Sequence, residues 1–81
     1  MKWIQENMLD EPFGVRSYGR TELARLYHPT LTAKAAWRSM REEINATKAL
    51  RTALEEAGYD GRRRHFTPRQ VELIVETLGQ P

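Results

Sequence analysis

The stretch Tyr18-Gly19-Arg20-Thr21-Glu22-Leu23-Ala24-Arg25-Leu26-Tyr27, followed across a turn containing Pro29 by Thr32-Ala33-Lys34-Ala35-Ala36-Trp37-Arg38-Ser39-Met40-Arg41-Glu42-Glu43-Ile44, decides the fold. Gly19 stands at an N-cap position. Glu22, three residues on, can accept from its backbone N–H, and Tyr18 can pack on Leu23, so a capping-box carboxylate combines with a hydrophobic staple. Thr32 repeats the start signal, flanked by Leu31 and Ala36. His28-Pro29 stops the first helix, because the residue before proline avoids helical dihedrals, and His28 is expected to cap its end. The spacing predicts one helix over about Arg20 to Tyr27, turning Leu23, Leu26 and Tyr27 inward. It predicts a second with Ala33, Ala36, Trp37, Met40 and Ile44 on one face and Lys34, Arg38 and Arg41 on the other. Two helices joined in this way make a helix-turn-helix-like core.

Downstream, the apolar stripe Ala46, Ala49, Leu50, Ala53, Leu54 and Ala57 is rotated by roughly 130° from that of Ala36 to Ile44, at about 100° per residue. One straight helix cannot bury both, so a third helix begins, with the break expected at Asn45, a good N-cap. Gly58 suits the C′ position of a Schellman-type stop, with Tyr59 beyond it touching Leu54. Asp60-Gly61 signals a tight turn. Arg62-Arg63-Arg64-His65-Phe66 then leads to Thr67-Pro68-Arg69-Gln70: Thr67 caps, Pro68 takes N1, Gln70 closes a capping box and Phe66 staples to Val71. The fourth helix turns Val71, Ile74, Val75 and Leu78 inward and ends at Gly79. Upstream, Phe13 and Val15 alternate with Gly14 and Arg16, which suggests a short strand. Arg16 to Gly19 and Arg64 to Thr67 are matching extended lead-ins that can pair as a minimal two-stranded ribbon. The expected fold is therefore mainly α: a single four-helix domain over residues 13–81, with at most that ribbon. Residues 1–12 are expected to be flexible or partly helical, ended by Asp10-Glu11-Pro12.

Bulk composition narrows the function classes. Eighty-one residues make one domain, near the lower limit for a self-sufficient core. With no cysteine, neither disulfides nor thiolate–metal sites can staple it. His28 and His65 lack partners at ligand spacing, so neither a metal nor a cofactor is expected. No apolar run approaches a membrane span, and Met1 to Leu9 is too short and polar for a signal peptide, so a cytoplasmic protein without membrane contact is expected. Residues 1–14 carry Lys2 against Glu6, Asp10 and Glu11, a net −2; residues 15–81 carry twelve basic side chains against eight acids, a net +4. A mildly basic folded part suits a polyanion.

Several blocks together resemble a known family: Arg16 to Ala24, Ala35-Ala36-Trp37-Arg38, Gly58-Tyr59-Asp60, and Phe66 to Val71 with Leu73-Ile74-Val75-Glu76. They resemble the domain-of-unknown-function family numbered 4248 of Bacteroides-type bacteria, over about Phe13 to Pro81. That resemblance implies no particular activity. More loosely, the layout is similar to DNA-binding domains of the mercury-resistance-regulator and excisionase type, where a Glu-Leu-Ala helix leads to a recognition helix. It differs from them in a turn two residues longer before the Thr32 cap and in lacking a long hairpin wing.

Two readings of the charged residues stand side by side. Lys34, Arg38 and Arg41 can meet phosphates or base edges of duplex DNA, and Arg62, Arg63 and Arg64 can grip phosphates like a stubby wing. Alternatively they are solvated surface, with Arg38 paired to Glu42 at i+4. Trp37, Tyr18, Tyr27, Tyr59 and Phe66 occupy stripe or staple positions and are expected in the core. Glu42-Glu43 and Glu55-Glu56 point in different directions on a helix and make no carboxylate dyad. No glycine-rich phosphate loop or activated nucleophile occurs, so neither enzyme activity nor a small-molecule substrate is expected. Leu73 points away from the stripe of its own helix, so either that helix is sandwiched inside the fold or Leu73 is a candidate contact for a homodimer or protein partner. The expected function is a small nucleic-acid-binding accessory or regulatory protein; the alternative is a protein-interaction adaptor with no DNA role.

Overall fold

A computed structural model describes residues 13–81; the expectation for residues 1–12 lies outside them. The order of elements is β1 (Tyr18–Gly19), α1 (Arg20–Tyr27), α2 (Ala33–Ala46), α3 (Lys48–Glu56), β2 (His65–Phe66) and α4 (Pro68–Leu78). The four expected helices and the ribbon are all present. β1 and β2 pair antiparallel, Tyr18 opposite Phe66 and Gly19 opposite His65.

The helix starts follow their local chemistry. Gly19 N donates to Glu22 Oε1 at 3.1 Å; glycine has no side chain to return the bond, so only the carboxylate half of the box exists. Thr32 Oγ1 accepts from Ala35 N at 3.2 Å. At Thr67 the box is complete: Gln70 N donates to Thr67 Oγ1 at 3.2 Å and Thr67 N to Gln70 Oε1 at 3.0 Å. α3 ends in a Schellman motif, with Gly58 at φ 95°, its N–H donating to Glu55 O at 3.0 Å and the Tyr59 N–H to Leu54 O at 2.9 Å.

The core gathers Leu23 and Ala24 of α1, Ala36, Met40 and Ile44 of α2, Leu50 and Leu54 of α3, Val71 and Ile74 of α4, and the aromatics Tyr18, Tyr59 and Phe66. Phe66 sits among the rings: Tyr59 stacks on it at 5.8 Å between centroids and 17°, and Trp37 leans on it at 6.0 Å and 59°. α1 lies against α2, and α3 against both α2 and α4.

Four expectations are corrected. The break between α2 and α3 falls at Thr47, not Asn45: α2 runs through Ala46, and Thr47 alone leaves the helix at φ −102°, ψ 93°. The Asn45 side chain caps nothing there; its Oδ1 accepts from Arg51. Phe13 and Val15 form no strand, because a strand needs a partner and β2 reaches only Tyr18 and Gly19. Phe13 instead stacks flat on Tyr18 at 5.2 Å, while Val15 is 52 % exposed. Leu26 does not turn inward: it is 44 % exposed, and Ala24 takes the buried place beside Leu23. Trp37 is half-buried, because Phe66 fills the centre that the tryptophan was expected to occupy.

Candidate nucleic-acid interface

The basic loop is shaped by the turn before it. Asp60 Oδ1 accepts from the backbone N–H groups of Arg62 at 2.9 Å and Arg63 at 3.3 Å, and Gly61 takes φ 81°. Those bonds, that of Arg62 first, hold the Asp60 carboxyl below the usual carboxylate range. With its backbone fixed, the loop leaves the side chains of Arg62, Arg63 and Arg64 exposed. Arg64 O accepts from Arg20 N at 2.8 Å, so the loop is fastened to the first residue of α1. Arg20 in turn lays its guanidinium over the Trp37 ring, 4.9 Å from the centroid.

On α2, Lys34, Arg38 and Arg41 are all exposed. Arg41 follows Arg38 by three residues and Trp37 by four, which sets it at the border of the apolar face and not opposite it. The expected Arg38–Glu42 pair is not among the ion pairs of the described residues. Arg51 of α3 packs over the Tyr59 ring at 5.3 Å and pairs with Glu55 at 2.8 Å. Burial pushes the Tyr59 phenol up, opposed by the positive charge of Arg51, Arg20 and Arg41. Arg20 and Arg51, from two helices, thus border one aromatic cluster.

Ion pairing decides the sign of this surface. Among the described residues, Arg16 pairs with Glu22 at 3.2 Å, His28 with Glu43 at 3.3 Å, Arg51 with Glu55 and Arg69 with Glu72 at 2.7 Å. Those contacts, together with the Asp60 turn, engage most of the acids. Among the described residues the carboxylates with no lysine or arginine partner are Glu42, Glu43, Glu56, Asp60 and Glu76, of which Asp60 is held by backbone N–H groups and Glu43 by His28. The cations with no ion pair among the described residues are Arg20, Arg25, Lys34, Arg38, Arg41, Lys48, Arg62, Arg63 and Arg64. The free charge is therefore predominantly basic.

All six candidate arginines and lysine keep exposed positions, and the Arg62–Arg64 loop is joined to α1. Arg20 and Arg51 were missed by sequence reasoning. No local pattern marks either, since both belong to the surface only through rings brought together by the fold. A cleft of about 520 Å³ opens beside the loop, lined among others by Ser17, Gly58, Arg63, Arg64 and Thr67. Leu73 lies apart, half-buried in a shallow hollow of about 290 Å³ between α3 and α4, with Ala53, Ala57 and Arg69. Among the described residues no three His, Asp or Glu side chains come together to hold a metal ion, and no helix is long and apolar enough to cross a membrane.

A family model described as a domain of unknown function (DUF4248) matches residues 14–81. No curated protein and no solved structure matches the chain.

Proposed function

The chain belongs to the DUF4248 family, and we propose that it is a small nucleic-acid-binding accessory or regulatory protein that meets duplex DNA through α2 and the Arg62–Arg64 loop, without catalysis. The observation that carries the reading is the excess of cations with no ion pair among the described residues, several of them contiguous. Arg62, Arg63 and Arg64 adjoin Arg20 through the Arg20–Arg64 backbone bond, and Arg20 adjoins α2 through Trp37. In this reading α1 and α2 serve as a helix-turn-helix pair and α2 as the recognition helix. Its first turns carry Lys34 and Arg38, where such helices meet base edges, while the loop arginines lie on phosphates.

Equilibrium binding of the purified protein to a mixed-sequence duplex at two salt concentrations tests it. Phosphate neutralisation makes affinity fall steeply with salt, by about 0.9 logarithmic unit of slope per contact. Absence of duplex binding even at low salt removes the proposal.

A second reading, an adaptor that binds another protein, is favoured by the Leu73 hollow, where Ala53 and Ala57 leave room beside a half-buried leucine. Leu73→Glu distinguishes the two: an adaptor loses its partner or its self-association, whereas a DNA-binding protein keeps its duplex affinity.

A further inference from the structure

The cleft of about 520 Å³ beside the basic loop has two unlike walls. Arg63, Arg64 and His65 line one of them, and all three are exposed. None of the three has an ion-pair partner among the described residues. The other wall is the junction of α3 and α4, formed by Ala57, Gly58 and Gln70, which carry no charge. Gly58 leaves that wall without a side chain: a Cβ there would meet only Gln70 Nε2, at 3.8 Å. Gln70 is fixed in place, since its amide accepts from Thr67 N and donates to Ala57 O. Thr67 also lines the cleft; its Oγ1 accepts from Gln70 N at 3.2 Å and keeps its own proton to donate. None of the described residues lining the cleft is acidic. Gly19 faces His65 across the ribbon, and the Glu22 carboxylate that accepts from Gly19 N is also paired with Arg16 and does not line the cleft. The space is thus basic on one side and uncharged on the other.

We propose that this cleft binds a nucleoside monophosphate, with Arg63, Arg64 and His65 on the phosphate oxygens and the uncharged body of the ligand against Ala57 and Gly58. A phosphate monoester carries about two negative charges near neutral pH and three terminal acceptor oxygens, which suits two guanidiniums, an imidazole and the Thr67 hydroxyl. Size favours an organic ligand over the bare ion. At about 30 Å³ for a water-sized group, a phosphate ion fills a minor part of the cleft, whereas clefts of about 300–1,000 Å³ are those that hold small organic molecules. The bare backbone at Gly58 admits a flat ring at close approach. No bond is made or broken at the site. It stands on the cleft and not on duplex binding, although an occupied cleft takes two of the loop's three arginines from any duplex.

The test uses the full chain as wild type, Arg63→Gln and Arg62→Gln, with adenosine monophosphate, inorganic phosphate and a mixed-sequence duplex as separate probes. Arg62 carries the same charge as its neighbour Arg63 but does not line the cleft. Both side chains are exposed, and Asp60 holds the loop through their backbone N–H groups, so neither substitution should lower the melting temperature. Adenosine monophosphate should bind one to one and move the Gly58 and Thr67 amide resonances. Its affinity should fall about tenfold in Arg63→Gln, the worth of one hydrogen bond to a charged group, and stay near wild type in Arg62→Gln. Inorganic phosphate should bind more weakly than the nucleotide. Equal losses in the two variants would mean attraction by net charge alone and overturn the site. Phosphate binding as tightly as the nucleotide would mean that Ala57 and Gly58 hold nothing, which overturns the nucleotide assignment. If the duplex moves the two amides and the nucleotide does not, the cleft takes a backbone phosphate, so the nucleotide site is overturned and the DNA reading stands. If no probe moves them, the site is overturned. Nucleotide binding at these amides with no duplex binding upholds the site and overturns the DNA reading.

Discussion

Gln70 Nε2 donates a 2.9 Å hydrogen bond to the carbonyl oxygen of Ala57, so the residue that closes the N-terminal box of α4 also satisfies a carbonyl at the C-terminal end of α3. Helix ends leave such groups without intrahelical partners. Here one amide meets two of them, since Gln70 Oε1 accepts from Thr67 N while Nε2 serves Ala57. At 4 % exposure Gln70 is, tyrosines apart, the one polar residue buried among the described residues.

Gln70→Ala leaves the Thr67 N–H and the Ala57 carbonyl without their partner at a part-buried junction. A loss of about 2–4 kcal/mol is expected in denaturant unfolding. Gln70→Glu is more diagnostic. The introduced carboxylate can still accept from Thr67 N but turns an oxygen toward the Ala57 carbonyl oxygen. It should destabilise at neutral pH and recover partly as acid restores a donor.

Gly58 holds φ 95°, and a Cβ there would meet only Gln70 Nε2, at an ordinary 3.8 Å. The expected penalty of Gly58→Ala is therefore purely one of backbone conformation, about 1–2 kcal/mol. A much larger loss in chemical denaturation would mean that the contact with Gln70 is tighter than its distance implies.

Leu54 is fully buried, whereas Trp37 lies at the core's edge between Phe66 and the Arg20 guanidinium. Leu54→Ala should cost about 2–5 kcal/mol, enough to unfold much of so small a domain. Trp37→Ala, despite its larger loss of volume, should cost about 2 kcal/mol because solvent can enter the space. Calorimetry giving the reverse order of melting temperatures would place Trp37 in the interior.

These cases mark what the sequence carried. Thr32, Thr67 with Gln70, and Gly58 with Tyr59 were legible because each acts within a few residues of backbone. The ribbon was legible because two lead-ins share an aromatic staple. Asn45 misled because cap preference cannot foresee that Arg51 engages its side chain. Leu26 misled because size suggested burial where the packing of α1 on α2 admits Ala24. Arg20 and Arg51 escaped notice as parts of the basic surface, since what ties them to it is tertiary: Trp37 under one, Tyr59 under the other.

Acid should weaken two local devices in the same direction. The Gly19 backbone N–H, and then Arg16, hold the Glu22 carboxyl below its ordinary range. The backbone N–H of Arg62 does so first for Asp60. A carboxyl depressed in the folded state stabilises above its unfolded value and loses that contribution as pH falls through the folded value. Thermal melts from about pH 7 to about pH 2 should show Glu22→Gln below wild type at neutral pH and converging on it in acid. A constant difference across the range would mean that the carboxylate charge has no part in the cap.

The two arms of the proposed interface should separate in their salt dependence. The Arg62–Arg64 loop is fixed by Asp60 and Arg20, so its guanidiniums are exposed on a backbone that does not depend on them. Replacing all three with alanine should leave the melting temperature near that of wild type. It should flatten the plot of log affinity against log salt by about 0.9 unit for each phosphate contact removed, and equally for every duplex sequence. Arg38→Ala touches a helix face whose packing side is Ala36, Met40 and Ile44, so it too should spare stability. If Arg38 reaches a base edge, its loss should cost about 1–3 kcal/mol on the preferred sequence and little on others, with a smaller change of slope than the loop variant. Measured on two duplexes at several salt concentrations, a slope that neither variant changes would show that these cations do not meet DNA.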